Sequence, residues 1–114
     1  MSLRASHLLI KHQGSRNPVS RRTNKTTANV TRDQAVAELT QWLQRIKSGE
    51  ISFEQAAEQR SDCGSFKQQG DLGVFGPGDM MKPFEDAVRA LEVGQVSGIV
   101  DTDSGCHLIK RLPA

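Results

Sequence analysis

Two histidines in similar apolar segments, near opposite ends of the 114-residue chain, are the residues best suited to chemistry. His7 lies in segment 6–11 and His107 in segment 106–111, and each segment continues into leucine, isoleucine and then basic residues. Each segment is typical of a short strand. If the two strands are neighbours in one sheet, the histidines can meet in its middle. A buried pair there indicates a functional site, although it could also be a hydrogen-bonded part of the core without a function.

The other candidates for chemistry are Cys63, Thr102 and Ser104. A zinc site needs four ligands at suitable spacing. The three histidines and two cysteines form no CxxC or HxxxH pattern, so we predict no metal. A Cys–His nucleophile is compatible with the composition, although no cysteine-hydrolase signature surrounds Cys63. The glycine-rich stretch 64–78 lacks the Gly-Lys-Ser/Thr ending of a phosphate-binding P-loop. We therefore predict no cofactor.

The composition is that of one small folded domain over residues 1–114. Hydrophobic residues make up 36% of the chain, which is enough for one modest core. No apolar run is long enough to cross a bilayer, and the first residues lack the apolar region of a signal peptide. Two cysteines are too few for a disulfide framework and are expected to be free thiols. We expect a soluble monomer of the cytoplasm or nucleus that does not engage membranes.

Positive charge is concentrated at the start of the chain, although the net charge is only +2. Residues 1–32 contain seven lysines and arginines and no acid, whereas residues 33–114 contain eight bases and all thirteen acids. This asymmetry predicts an anionic partner near the first strand and the segment after it. Segment 13–30 is rich in Gly, Ser, Asn and Thr, and we predict a mobile loop or, alternatively, a replaceable linker.

The elements that position the candidates follow from the periodicity of the chain. In a first strand over 5–11, alternation places His7, Leu9 and Lys11 on one face. The pattern then predicts a helix from the capping box 31–34 to Gly49, a helix after the capping box 52–55, a short strand over 72–75, a helix from Pro83 to Gly94 and a hairpin over 98–112. This order predicts an α+β domain with a small, largely antiparallel sheet.

Motifs along almost the whole chain, from about residue 4 to residue 111, resemble the parvulin family of peptidyl-prolyl cis/trans isomerases. They are segments 5–12, 53–57, 61–63, 70–76, 82–87 and 102–110, with Met80, Leu91, Gly94 and Ser97. The resemblance implies a parvulin-like fold of the FKBP-like superfold, a four-stranded, mostly antiparallel sheet surrounded by three to four helices. Segments 61–63 and 82–87, with the lengthened basic loop over residues 13–30, are similar to the branch selective for phosphoSer/Thr-Pro, in its single-domain form without a WW domain.

The resemblance also implies roles for individual residues. The pocket for the proline ring would consist of Leu72, Met80 and Phe84. The hydrogen-bonded floor would consist of His7, His107, Thr102 and Ser104, and the two histidines would either tune the polarity of the site or have a static role. Cys63 would lie beside the substrate carbonyl. Covalent attack by its thiol is one alternative, but related parvulins place Asp there and remain isomerases, which favours a non-covalent role. Met81 stands where Gln is usual and is expected to make the pocket rim more apolar.

Phosphate recognition is implied at the end of the first strand. Lys11 and Arg16 match the phosphate-binding positions of the family, and arginine binds phosphate through a bidentate fork. The chain departs from the pattern at Asn17, where the branch usually has a second arginine. Our hypothesis is that Arg21 or Arg22 replaces the missing guanidinium.

The expected partners are proteins phosphorylated on serine or threonine before proline. Two alternatives stay open: an isomerase without strict phosphate dependence, and a phosphopeptide-binding module that barely catalyses the reaction. A third alternative is nucleic-acid binding through residues 11–32. That segment contains no Phe, Tyr or Trp on which bases could stack, so we do not expect nucleic acid as a partner.

Overall fold

The computed structural model describes residues 2–114. Over these residues the chain forms four strands, three α-helices and one short 3-10 helix. In chain order they are β1 (Leu3–Ile10), α1 (Arg32–Lys47), α2 (Phe53–Arg60), the 3-10 helix (Gly64–Gln68), β2 (Asp71–Phe75), α3 (Lys82–Ala90), β3 (Val100–Thr102) and β4 (Gly105–Leu112). The predicted α+β order is confirmed, and Lys11 lies one residue beyond β1. No helix in the described range is both long enough and apolar enough to span a membrane.

The four strands form one sheet in the order β2-β1-β4-β3, and every neighbouring pair is antiparallel. The two central strands are the similar segments from opposite ends of the chain. Their register places His7 opposite Ile109 and Leu9 opposite His107. Residues directly opposite share a face, and diagonal neighbours on that face are only about 7–8 Å apart. The two histidines are such diagonal neighbours, which brings their side chains within reach of each other.

Each face of the sheet packs against different helices because successive side chains of a strand point to opposite sides. On one face, Leu8, Ile10 and Leu108 are fully buried in a cluster that includes residues of α1 and α2. On the other face, Ile109 is buried in a cluster with Phe84 of α3. Burial of each large apolar side chain contributes about 1.5–3 kcal/mol. The histidines share the face of Ile109, so the site lies between the sheet and α3.

Capping boxes determine where α1 and α2 begin. Thr31 Oγ1 accepts the N–H of Gln34 at 3.1 Å, and the N–H of Thr31 donates to Gln34 Oε1 at 2.9 Å. Ser52 and Gln55 make the same reciprocal pair at 3.1 and 3.2 Å. Both predicted capping boxes are confirmed. In α3 the first turn contains Pro83 instead, where the missing N–H of proline costs no helical hydrogen bond.

Gly70 allows the segment before β2 to pack closely against β1. Its φ is +86°, and its carbonyl accepts the N–H of His7 at 3.0 Å. A Cβ at this position would overlap the carbonyl oxygen of His7 and lie 3.0 Å from the Cβ of Ala57. Glycine is the residue that tolerates both this φ and this approach. Gly70 therefore helps to fix the backbone of His7.

The basic loop, residues 13–30, folds back on itself after β1. Val19 and Thr26 form an isolated antiparallel bridge. The N–H of Gln13 donates to the carbonyl of Val30 at 2.7 Å, which closes the base of the loop. Ser20 is 2% exposed at the inner side of the turn. The loop therefore has a defined turn in this structure, while its predicted mobility stays a prediction.

Candidate active site

The two histidines form a hydrogen-bonded pair in the middle of the sheet. His7 Nδ1 and His107 Nδ1 are 2.9 Å apart, and His107 Nε2 lies 2.6 Å from Thr102 Oγ1. Thr102 Oγ1 also accepts the N–H of Ser104 at 3.1 Å. The hydrogen bonds thus run from the turn between β3 and β4 into the centre of the sheet. The four residues predicted to form the floor are brought together.

Both imidazoles are neutral at physiological pH. Burial lowers the pKa of His7 to about 4. Burial, with the neighbouring His7 as a smaller cause, lowers the pKa of His107 to about 3. One of the two Nδ1 atoms therefore carries the proton that the other accepts. His7 Nε2 is buried without a hydrogen-bond partner among residues 2–114, which leaves the floor with one unpaired nitrogen.

Phe84 of α3 packs edge-on against both imidazoles. Its ring centroid lies 5.6 Å from that of His7 and 5.4 Å from that of His107. Leu72 and Met80 are half-buried and pack against the same cluster as Phe84. Part of their surface is therefore open to a ligand. The three predicted pocket residues lie together on the α3 face of the sheet, beside the histidine pair.

Met81 follows the pocket residue Met80 and shares a cavity with residues at the turn between β3 and β4. It lines a cavity of about 460 Å³ together with Pro83, Thr102 and Asp103. Because Thr102 also bonds His107, this cavity adjoins the floor of the site. The predicted effect of Met81 on the polarity of the pocket rim stays a prediction.

Cys63 is positioned by the two residues before it, which bond to the end of β1. The N–H of Leu9 donates to Ser61 Oγ at 3.0 Å, and the N–H of Asp62 donates to the carbonyl of Leu9 at 2.7 Å. These bonds hold the segment alongside the strand that carries His7. Within residues 2–114, the half-buried thiol of Cys63 makes no hydrogen bond to either histidine. The structure therefore lacks the thiol–imidazole pair that activates a cysteine nucleophile.

A cavity of about 190 Å³, the cationic cavity, opens beside Cys63 at the end of β1. Its lining comes from β1, the basic loop, the segment after α2 and the turn between β3 and β4: Leu9, Lys11, Arg16, Asn17, Arg21, Cys63 and Ser104. The ammonium of Lys11 donates to the carbonyl of Val19 at 2.7 Å. Burial and then the charge of Arg21 lower the pKa of Lys11. An anion in the cavity would counteract both effects.

The remaining predicted phosphate residues have different surroundings. Arg16 is exposed, and its guanidinium lies 3.5 Å from the carboxylate of Asp103, whose carbonyl accepts the N–H of Arg16 at 2.7 Å. Arg22 lies outside the cationic cavity. Its guanidinium donates to the carbonyl of Glu58 and lies over the ring of Phe66, 5.0 Å from the centroid. The structure thus places Arg21 in the cavity and Arg22 against α2 and the 3-10 helix.

The carboxylate of Asp62, to which the sequence pattern assigned no role, connects the parts of the site. It is 3% exposed and accepts the N–H of Lys11 at 2.9 Å, the hydroxyl of Ser20 at 2.6 Å and the guanidinium of Arg60 at 3.0 Å. The carbonyl of Asp62 also accepts the N–H of Arg21 at 2.9 Å. One residue therefore joins β1, the basic loop and α2. Its only local signal was an acidic residue two positions after the end of α2, in the motif Ser61-Asp62-Cys63, and that signal does not indicate which residues it contacts.

The other cysteine and the acidic residues do not add a second reactive site. Burial and the adjacent Asp101 carboxylate raise the pKa of the Cys106 thiol to about 11, which keeps it protonated. Within residues 2–114, no three His, Cys, Asp or Glu side chains are grouped as ligands for a metal ion. The polar chemistry of the molecule is therefore concentrated at the histidine floor and the cationic cavity.

Comparisons with known proteins agree with this geometry. The rotamase family model, described as the PPIC-type PPIase domain, matches residues 7–112. Peptidyl-prolyl cis-trans isomerase Pin1 of Arabidopsis thaliana is 52% identical over 111 residues, which cover 96% of this chain and 93% of that protein. The solution structure of TbPIN1 gives a TM-score of 0.89 at 66% identity and covers 98% of this chain and 97% of that one.

A second solved structure, the isomerase ESS1 from Candida albicans, gives a TM-score of 0.94 at 43% identity, covering 98% of this chain and 63% of that one. The matched region of the family model includes the histidine floor, the proline pocket and the cationic cavity. Fold, site and comparisons lead to one conclusion: the chain belongs to the parvulin, or PPIC-type, family of peptidyl-prolyl cis/trans isomerases.

Proposed function

We propose that the enzyme acts on peptide bonds before proline in proteins that are phosphorylated on the preceding serine or threonine. The observation that carries the proposal is the position of the cationic cavity beside the histidine floor. Leu9 and Cys63 line the cavity, and Leu9 lies directly opposite His107 in the sheet. A substrate with its proline ring in the pocket of Leu72, Met80 and Phe84 would direct the preceding side chain toward Lys11.

A phosphate group suits the cationic cavity because of its charge. A phosphorylated serine carries about −1.5 to −2 charges near neutral pH. Lys11, Arg16 and Arg21 line the cavity, and a hydrogen bond to a charged group contributes about 1.5–3 kcal/mol. An unphosphorylated serine offers no charge and a glutamate only one. The cavity therefore favours the phosphorylated form of a substrate over both.

The reaction at the floor needs no bond to the protein. Rotation about a peptide bond has a barrier of about 18–20 kcal/mol because the amide loses its resonance. The twisted amide has a more basic nitrogen and a carbonyl outside resonance, so an apolar pocket with suitably placed polar groups can stabilise it. Leu72 and Met80 supply partly exposed apolar surface beside the buried ring of Phe84, and the neutral histidine pair supplies dipoles without net charge. This arrangement supports non-covalent catalysis.

We also propose that the enzyme acts as a monomer in the cytoplasm or nucleus. Among residues 2–114, the exposed large hydrophobic side chains are three valines from separate parts of the chain, Val19, Val74 and Val93. Such scattered side chains do not make the contiguous apolar patch of a stable interface. Free cysteines, as found here, persist in reducing compartments.

NMR exchange spectroscopy on one Ser-Pro peptide, with and without phosphate on the serine, tests the proposed specificity. We expect a large gain in the cis/trans exchange rate for the phosphorylated peptide. Equal rates for the two forms would show an isomerase without phosphate dependence. Shifted resonances without faster exchange would show a binding module. A matched Glu-Pro peptide separates a need for a dianion from a need for any negative charge.

A further inference from the structure

Arg21 has a fixed backbone and a side chain directed over the site. Its N–H donates to the carbonyl of Asp62 at 2.9 Å, and the same Asp62 holds the preceding Ser20 through its carboxylate. The Arg21 side chain passes over Gly64, where an added Cβ would lie 3.8 Å from Arg21 Cδ. Arg21 reaches the cationic cavity beside Cys63 from this position.

The neighbouring Arg22 has a different structural role. Its guanidinium is occupied by the carbonyl of Glu58 and by the ring of Phe66. Both partners belong to the α2 side of the molecule, so Arg22 fastens the basic loop to that side. Two adjacent arginines of the same loop therefore point to different places, and the contacts of Arg22 help to hold Arg21 over the cavity.

The guanidinium of Arg21 also has no ion-pair partner within the described part of the chain. No carboxylate among residues 2–114 lies within ion-pair distance of its guanidinium, whereas Arg16 has Asp103 and Arg60 has both Glu38 and Asp62. Lys11 and Arg21 line the same cavity, and the positive charge of Arg21 adds to burial in lowering the pKa of Lys11. Asn17, which also lines this space, can offer only an uncharged amide.

We infer that Arg21 binds the substrate phosphate through its guanidinium and is a determinant of the preference for a dianion. The inference rests on the proposed function and names the residue that completes its phosphate site. Lys11 would contribute a point charge, and Arg21 a planar fork that can bind two phosphate oxygens at once. The phosphate keeps its charge while the amide twists, so this contact strengthens ground state and transition state alike and acts on KM rather than kcat.

The test compares kcat/KM for a phosphorylated and an unphosphorylated Ser-Pro peptide in four proteins. They are the wild type, Arg21→Ala, Lys25→Ala and the double variant Arg21→Ala/Asn17→Arg. We expect Arg21→Ala to lower the phosphopeptide preference about tenfold or more, through a higher KM, because it removes charge-assisted hydrogen bonds. Lys25→Ala removes an exposed charge of the same loop outside the cavity and should keep the preference of the wild type.

The double variant separates phosphate binding from a structural role of Arg21. A new arginine at position 17 lies on the wall of the same cavity, so we expect it to restore most of the lost preference. A wild-type preference that Arg21→Ala leaves intact would overturn this inference and leave the proposed function standing. Failure of the arginine at position 17 to restore any preference would also count against it. A wild type without any preference for phosphate would overturn both.

Discussion

At the level of single residues, the histidine pair links the stability of the fold to pH. Burial holds the pKa of His7 at about 4 and that of His107 at about 3, whereas an unfolded histidine has a pKa of about 6.5. Between pH 6.5 and 4 the unfolded chain therefore binds protons that the folded chain does not. The contribution of the pair to stability is complete above pH 6.5 and is lost as the pH falls.

We predict that the free energy of unfolding decreases as the pH is lowered from 7 to 4.5, with up to about 1.4 kcal/mol per pH unit from each histidine. The variant His7→Leu/His107→Leu, which keeps the site apolar, should show a flatter profile in urea titrations. Carboxylates titrate in both proteins, so the difference between the profiles isolates the histidines. Parallel profiles would contradict the assignment of two neutral imidazoles.

The structure also bears on whether the thiol of Cys63 acts as a nucleophile. It makes no hydrogen bond to either histidine in the described part of the chain. We therefore predict that Cys63→Asp, which has no thiol to add to the substrate carbonyl, lowers the exchange rate by less than about tenfold, or about 1.4 kcal/mol of barrier. NMR exchange on the phosphopeptide measures this. A loss of several orders of magnitude in a folded variant would support covalent catalysis.

At the level of elements, the end of β1, the basic loop and the end of α2 meet at one carboxylate. Asp62 accepts hydrogen bonds from Lys11, Ser20 and Arg60, and Arg60 continues to Glu38 of α1 at 2.5 Å. Two cations of the cationic cavity thus depend on the position of Asp62, Lys11 through its own N–H and Arg21 through the Asp62 carbonyl. The cavity is therefore positioned by the fold as well as by the loop.

We predict that Asp62→Asn lowers the free energy of unfolding by about 2–4 kcal/mol. The variant loses a buried charged acceptor, and the Arg60 guanidinium loses one of its two carboxylate partners. Urea denaturation at pH 7 gives the value. Glu50→Gln is the matched control, since it breaks the exposed ion pair with Arg45 at 2.5 Å and should cost less than about 1 kcal/mol. Equal losses in the two variants would show that the Asp62 network adds nothing beyond an ordinary surface pair.

At the level of the whole molecule, local chemistry made most of the fold predictable. The capping boxes at Thr31 and Ser52 gave the starts of α1 and α2, because the side chain and backbone that bond there lie only three residues apart. The two similar segments predicted the central strand pair, and the short strand predicted over 72–75 lies within β2 (Asp71–Phe75). The floor residues and pocket residues followed from the resemblance to the parvulin family, and the structure brings them together.

The parts that escaped prediction depend on contacts between distant residues. Nothing near Asp62 in the sequence indicates that it will meet Lys11, which lies 51 positions away. Local sequence patterns could not decide whether Arg21 or Arg22 replaces the missing arginine either. The answer depends on where Phe66 and Glu58 lie after folding. The neutrality of the histidines also required the structure, since it results from burial by the whole domain.

The most direct test of the account is whether the cationic cavity supplies the preference for phosphate. Wild type and the variant Lys11→Met/Arg16→Ala/Arg21→Ala, which removes all three cations of the cavity lining, are compared by the ratio of kcat/KM for a phosphorylated and an unphosphorylated Ser-Pro peptide. We predict a wild-type ratio of at least about ten, as one or more hydrogen bonds to a charged group would give, and a ratio near one for the variant. A wild-type ratio near one, or a variant that keeps the wild-type ratio, would contradict the account.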